Sequence, residues 1–308
     1  MSATVTEDAF TTRDVPWMKL GTVIDKAIPS AEAMKKAKLD FKVELRPVHF
    51  ANKKGELVRF EGRSVIARVG TDQPFGVASD DYEIVQYAEA FAFIDGISPE
   101  IVAAGPLKNG RQAFMVCKAP GHVELDVIDG DKHELFVVLR TSHDCSKAVE
   151  VFLMPLRGMF MNQLPLKSIG RNAQQSWSVR HVSTAKEKLA QAQSVLVGLD
   201  SYAAEFNEIA KRLADIDINV AEAEEMLQLV LPDRPKRQEA VEAITGLLDH
   251  GYTIGDQFHR TGWGLVNAVG EYFEHHRRGA SAESRFTNGL SGSTNRYVNR
   301  TAQLLIRR

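Results

Sequence analysis

Cysteine is nearly missing from this chain: Cys117 and Cys145 are the only two among 308 residues, and they form no CxxC pair. Two isolated thiols exclude a disulfide framework and fit a reducing cytoplasm. No apolar run approaches the roughly 18 residues that a membrane-spanning helix needs, so no membrane partner is expected. The first residues are polar and acidic (Glu7, Asp8), unlike a secretory signal. Phosphate-cradling loops are lacking too. There is neither GxxxxGK[ST] nor GxGxxG after a strand, and Gly262-Trp263-Gly264 merely opens a helix. A nucleotide-hydrolysing or dinucleotide-dependent enzyme, and with it a cofactor, is therefore not expected. HExxH and DxDxDG are absent, and the adjacent pair His275-His276 cannot turn both rings to one face, so no metal site is expected. Charge of one sign is lacking as well: the net charge is −2, so any affinity for nucleic acid must come from a local patch.

What is present reads as an α+β protein: a mainly antiparallel sheet with a β-β-β-α unit, then a helical C-terminal region. Apolar content of 44% supports a substantial core. Residues 1–40 form an N-terminal arm with a tryptophan anchor, Trp17 between Pro16 and Gly21, and a short helix capped by Ser30. A sheet domain spans 41–182, a helical region 183–278, and a basic, mobile tail 279–308. Phe41, Val43 and Leu45 alternate with charged residues at the period of a half-buried strand. Asn52-Lys53-Lys54-Gly55 marks a turn into a second strand, and Pro74 begins a third. Ala88, Phe91 and Ile94 then recur at helical spacing.

The organising stretch is 134–181. Two β-branched apolar runs, 135–139 and 148–153, flank the polar knot Thr141-Ser142-His143-Asp144-Cys145-Ser146 and read as adjacent buried strands. Past residue 183 the chain is helical. Thr184 with Glu187 and Asn219 with Glu222 have capping-box spacing. Leu189, Ala192, Leu196, Leu199, Ala203, Phe206, Ala210 and Leu213 form a heptad-like seam for either an internal bundle or self-association.

Three cationic stretches are candidates for binding. Between Lys42 and Arg68 seven Lys or Arg face three Glu, which makes Lys53, Lys54, Arg59 and Arg63 a basic strand face. A charged, guarded sheet edge explains the same pattern without function. From Arg157 to Lys188 there are six bases and one acid, interleaved with amides and an aromatic. Arg157, Lys167, Arg171 and Arg180 suit phosphates, Asn162 and His181 suit hydrogen bonds to a nucleic-acid backbone, and Trp177 suits stacking on a base. Plain solvated surface is the alternative. The tail contributes five arginines and no acid between 285 and 308. His143, Asp144 and Cys145 invite a catalytic reading, but triads are assembled in space rather than consecutively, and Asx and Ser/Thr turn chemistry explains the knot as well.

Pro16-Trp17-Met18-Lys19-Leu20-Gly21-Thr22, Gly76-Val77-Ala78-Ser79, Tyr82-Glu83-Ile84-Val85-Gln86, the 142–146 knot, Arg157 with Asn162, Arg180-His181 and Gly262-Trp263-Gly264 together resemble domain-of-unknown-function family 932, phage- and plasmid-borne proteins. The family pattern has histidine where Met18 stands, glycine where Cys145 stands, and a cysteine shortly before the asparagine matching Asn162. Those departures speak against histidine- or thiol-dependent activity in this chain. The element order is also similar to single-strand annealing proteins of the Red-beta and RecT type, an analogy of fold. The expectation is a non-catalytic, ATP-independent protein that binds and anneals single-stranded DNA as a homo-oligomer in the cytoplasm of a bacterial host. The alternatives are an interaction protein using the helical seam and, behind it, an enzyme using His143 and Cys145.

Overall fold

A computed structural model of the chain describes residues 10–11, 22–23, 26–95, 100–120, 124–126, 131–157, 160–161, 176–181, 199–251, 254–277 and 279–308. In chain order, β1 (Phe10–Thr11) and β2 (Thr22–Val23) precede α1 (Ser30–Lys36). Then come β3 (Val43–Ala51), β4 (Leu57–Arg68), β5 (Pro74–Ser79) and α2 (Tyr87–Asp95), the expected β-β-β-α unit. Strands β6 (Ile101–Leu107), β7 (Gln112–Lys118), β8 (Glu124–Asp126), β9 (Lys132–Ser142), β10 (Val149–Arg157), β11 (Phe160–Met161) and β12 (Ser176–Val179) follow. The helical half comprises α3 (Leu199–Ala214), α4 (Val220–Val230), α5 (Arg237–His250), α6 (Gly262–Glu271), α7 (Ala282–Ser291) and α8 (Ser293–Ile306). The architecture is α+β, as expected.

The larger sheet runs β11-β10-β9-β7-β6-β1-β2, with β8 added on β9 and β12 on β10. All its pairs are antiparallel except β1 with β2. The predicted pair, β9 and β10, is joined in register Val151↔Leu139 and Leu153↔Val137. Alternate residues face opposite ways along a strand. Leu135, Val137 and Leu139 join one core with Phe206, Trp263 and Val266 of the helices. Phe136 and Val138 join a second with Phe286 and Leu290 of α7. Both faces are covered, which is why these strands read as continuous apolar runs rather than alternating ones. Arg140 is buried among them, its guanidinium bonded to Glu150 directly opposite on β10. The small sheet, β3-β4-β5, is antiparallel.

The helices follow the sequence signals in part: the expected Ser30 cap is not made, since Ser30 lies inside α1 and its hydroxyl donates to Asp95. Asn219 and Glu222 close the capping box at the start of α4. In α6, Thr261 caps the Gly264 amide, and a Cβ on Gly264 would lie 2.1 Å from the Phe258 carbonyl oxygen. Only glycine lets those two backbones approach. Between those glycines Trp263 is fully buried and donates its indole N–H to Asp131, 2.9 Å away. Of the heptad-like seam, Leu199, Phe206, Ala210 and Leu213 are buried inside the molecule; Leu189, Ala192, Leu196 and the Thr184 box lie outside the described residues, as does Trp17.

The expected mobile tail is a correction. Residues 282–306 form α7 and α8, with Phe286 and Leu290 packed on the second face of the large sheet and Val298, Ala302 and Leu305 in the main core. Polar composition suggested disorder, but apolar residues four apart supply a buried helical face.

Candidate functional site

The polar knot is the turn between β9 and β10. The Ser142 hydroxyl accepts from the Lys147 amide at 3.0 Å and donates to the Lys147 carbonyl at 3.1 Å. The Asp144 carboxylate accepts from the Ser146 amide at 3.0 Å and from the Ser146 hydroxyl. Gln112 on β7 donates to the Ser146 hydroxyl at 2.6 Å. Burial would raise the Asp144 pKa, but the Ser146 hydrogen bonds outweigh it and hold the carboxyl below its usual value. The turn is thus an Asx and Ser turn, with Cys145 in the left-handed region at φ 60°. A Cβ on Gly76 of β5 would come within 3.0 Å of the Asp144 Cα, so the small sheet lies directly against this turn.

The three consecutive residues of the knot go to three different surroundings. His143 points into an aromatic cage: its ring stacks on Tyr87 with centroids 3.9 Å apart, with Phe75 and Phe41 each at 6.2 Å. Its amide donates to the Arg111 carbonyl at 2.7 Å, but its buried Nε2 has no hydrogen-bond partner. Burial, aided by nearby His181, pushes its pKa down to about 3, so the ring is neutral. The Cys145 thiol instead lies by the Val77 carbonyl and the Tyr82 hydroxyl. Burial and Asp144 push it up, away from the thiolate form that a nucleophile needs. Tyr82 stacks on His181 with centroids 5.2 Å apart and planes 11° apart, and its hydroxyl pKa is raised by burial, then by Cys145.

Of the expected contacts in 157–188, Arg157 ends β10 opposite Phe160, while Asn162, Lys167 and Arg171 lie outside the described residues. Arg180 is exposed. Trp177 pairs with Val151 and is half-buried against the main core, which limits it as a stacking platform. His181 is a correction: it is buried beneath Tyr82, out of reach of a strand at the surface. Burial lowers its pKa, and the Glu83 and Lys147 carbonyls partly restore it. Among the described residues no three His, Cys, Asp or Glu side chains are grouped to hold a metal.

The basic strand face is an exposed hairpin. Asn52 builds its turn, its side-chain oxygen accepting from the Lys54 and Glu56 amides at 2.9 and 3.0 Å, with Gly55 at φ 83°. Lys53 and Lys54 sit at the tip, Arg59 and Arg63 along β4, all exposed. Arg59 lies 3.5 Å from Glu61 and 3.7 Å from Asp80, so it is partly neutralised. Phe50 pairs with Val58, and Phe60 shares their face. Both phenylalanines are 49% exposed, with ring centroids 6.4 Å apart. They lie past the bulge between Pro47 and His49, away from the core residues Val43 and Ile66 of the same two strands. A hairpin whose two strands both carry aromatics and cations was the available signal.

Tyr82, Tyr87, Gly76 and Gln112, not singled out as site residues, are the partners of the knot. Sequence motifs far apart in the chain (76–79, 82–86, 142–146 and 180–181) converge here. No curated protein and no solved structure matches the chain. A family model does match, over residues 74–304, which takes in the knot, its partners and the helices through most of α8. The chain therefore belongs to the family described as Domain of unknown function (DUF932).

Proposed function

We propose that this chain is a non-catalytic, ATP-independent protein that binds and anneals single-stranded DNA as a homo-oligomer. One observation carries the reading: an exposed hairpin presents two adjacent aromatic rings, Phe50 and Phe60, together with the tip lysines Lys53 and Lys54 and with Arg63. Every base has a π-face, so exposed aromatics bind unpaired bases without reading sequence, while cations track the phosphates. The rings and the lysines belong to one two-stranded element, so a strand can stack and be neutralised at once. Arg157, Lys167, Arg171 and Arg180 are further phosphate contacts in this reading. A phage or plasmid setting in a bacterial cytoplasm belongs to the same proposal.

The test is fluorescence anisotropy with a labelled 40-nucleotide oligomer across a salt series. Base stacking contributes about 1–3 kcal/mol per base, so Phe50→Ser with Phe60→Ser weakens binding at least tenfold. Each phosphate contact contributes about 0.7 to the salt slope for single strands, so Lys53→Gln with Lys54→Gln lowers its magnitude by about 1.4. No binding by the wild type at low salt, or unchanged affinity in the phenylalanine double variant, refutes the proposal.

A further inference from the structure

The five arginines between 285 and 308, in the last two helices and at the end of α8, divide into two groups. Arg285 donates to the carbonyls of Glu274, His275 and Arg277 at 3.3, 3.4 and 3.1 Å, closing the end of the helix that precedes α7. Arg308 pairs with Glu222 of α4. These two are structural. Arg296, Arg300 and Arg307 are exposed and hold no ion pair among the described residues.

At about 100° per residue, positions 296, 300 and 307 fall within roughly 40° of one another around the helix axis. They form one straight row, with the partly exposed Gln303 in line and Asn299 at its border. The opposite face of α8, with Val298, Ala302 and Leu305, is locked into the main core. Position 308, turned about 100° from the row, is the one that meets the acidic α4. Leu304, turned about 60° from the row, lines a cleft with Arg308, Glu222 and Glu225, so the row borders the acidic α4 rather than pairing with it, on a rod about 16 Å long from 296 to 307. It has no exposed aromatic: Tyr297 packs on Phe273, with centroids 4.9 Å apart.

We propose that this row on α8 is a second nucleic-acid site, which binds the phosphate backbone of a duplex. Guanidinium groups fit phosphates bidentately, and the amides between them are donors of the kind that contact phosphate and sugar. A rigid row of cations without a stacking surface suits a stiff, densely charged duplex better than unstacked bases. The inference rests on the single-strand reading only for the class of ligand. It assigns the two faces different forms of that ligand, strands to the hairpin and paired product to α8.

The experiment titrates the full-length protein with a 40-base-pair duplex and with a 40-nucleotide strand across a salt series. Variants are Arg296→Gln/Arg300→Gln/Arg307→Gln, its Lys counterpart, and the Phe50→Ser/Phe60→Ser hairpin. Duplex contacts contribute about 0.9 each to the salt slope, so the Gln triple lowers its magnitude by about 2.7 while the Lys triple retains it. The hairpin variant keeps the duplex slope. A Gln triple with the wild-type duplex slope overturns the proposal, as does a Lys triple that behaves like the Gln triple. Row-dependent binding to phosphatidylserine vesicles without duplex binding also overturns it, in favour of a membrane surface. If the hairpin variant leaves single-strand binding unchanged while the Gln triple loses the duplex slope, the earlier reading fails and this one stands.

Discussion

His143 makes stability depend on pH in a calculable way. Its ring is neutral and caged by Tyr87, Phe75 and Phe41, with a folded-state pKa pushed from 6.5 to about 3. The folded value is the lower one, so the unfolded chain takes up this proton first as the solution is acidified. The stability is whole above pH 6.5 and is lost as pH falls from there toward 3. Each pH unit inside that window costs about 1.4 kcal/mol, so at pH 5 this one ring removes about 2 kcal/mol. His143→Phe keeps an aromatic in the cage, leaves the backbone bond to Arg111 and removes both the proton site and the unpartnered Nε2. Urea unfolding at pH 7.5 and pH 5.0 measures the effect. The wild type loses about 2 kcal/mol more than the variant over that interval. His181 and His275, whose pKa values burial also depresses, contribute equally to both proteins and cancel in the difference. Equal losses in the two proteins would refute the buried, neutral assignment.

Two further substitutions test the backbone. An L-residue in the left-handed region is strained by about 1–2 kcal/mol, so Cys145→Gly is more stable than Cys145→Ala by about 1 kcal/mol in thermal or urea unfolding; the reverse order would refute the strain assignment. Gly264→Ala forces a Cβ to within 2.1 Å of the Phe258 carbonyl oxygen and is expected to unfold α6 or block soluble expression; near wild-type stability by circular dichroism melting would contradict that packing.

The sequence was legible where a residue acts on its near neighbours. Asn219 and Glu222 sit three residues apart and close their cap, Asn52 and Gly55 make their turn, and the runs at 135–139 and 148–153 pair as strands. It was opaque where the deciding contact is distant. Phe50 and Phe60 have the alternation of a buried strand, yet whether a core lies beneath them depends on how the hairpin leaves the sheet. His181 looked like a surface donor beside Arg180 because nothing local announces Tyr82, about a hundred positions earlier, as its stacking partner. The last 30 residues looked unfoldable by composition because their apolar side chains are few. Their value lies in the sheet face that Phe286 and Leu290 meet.

The bond from Trp263 to Asp131 spans 132 positions of chain. At synthesis rates of about 5–20 residues per second, the sheet bearing Asp131 waits on the order of 7–26 seconds before the helix that covers it emerges from the ribosome. Throughout that delay the face of Leu135, Val137 and Leu139 lacks Trp263 and Val266, and the nascent chain carries an apolar sheet face covered only by the helices already made. Expression yield is therefore expected to respond to chaperone supply and growth temperature before it responds to the stability of the finished molecule.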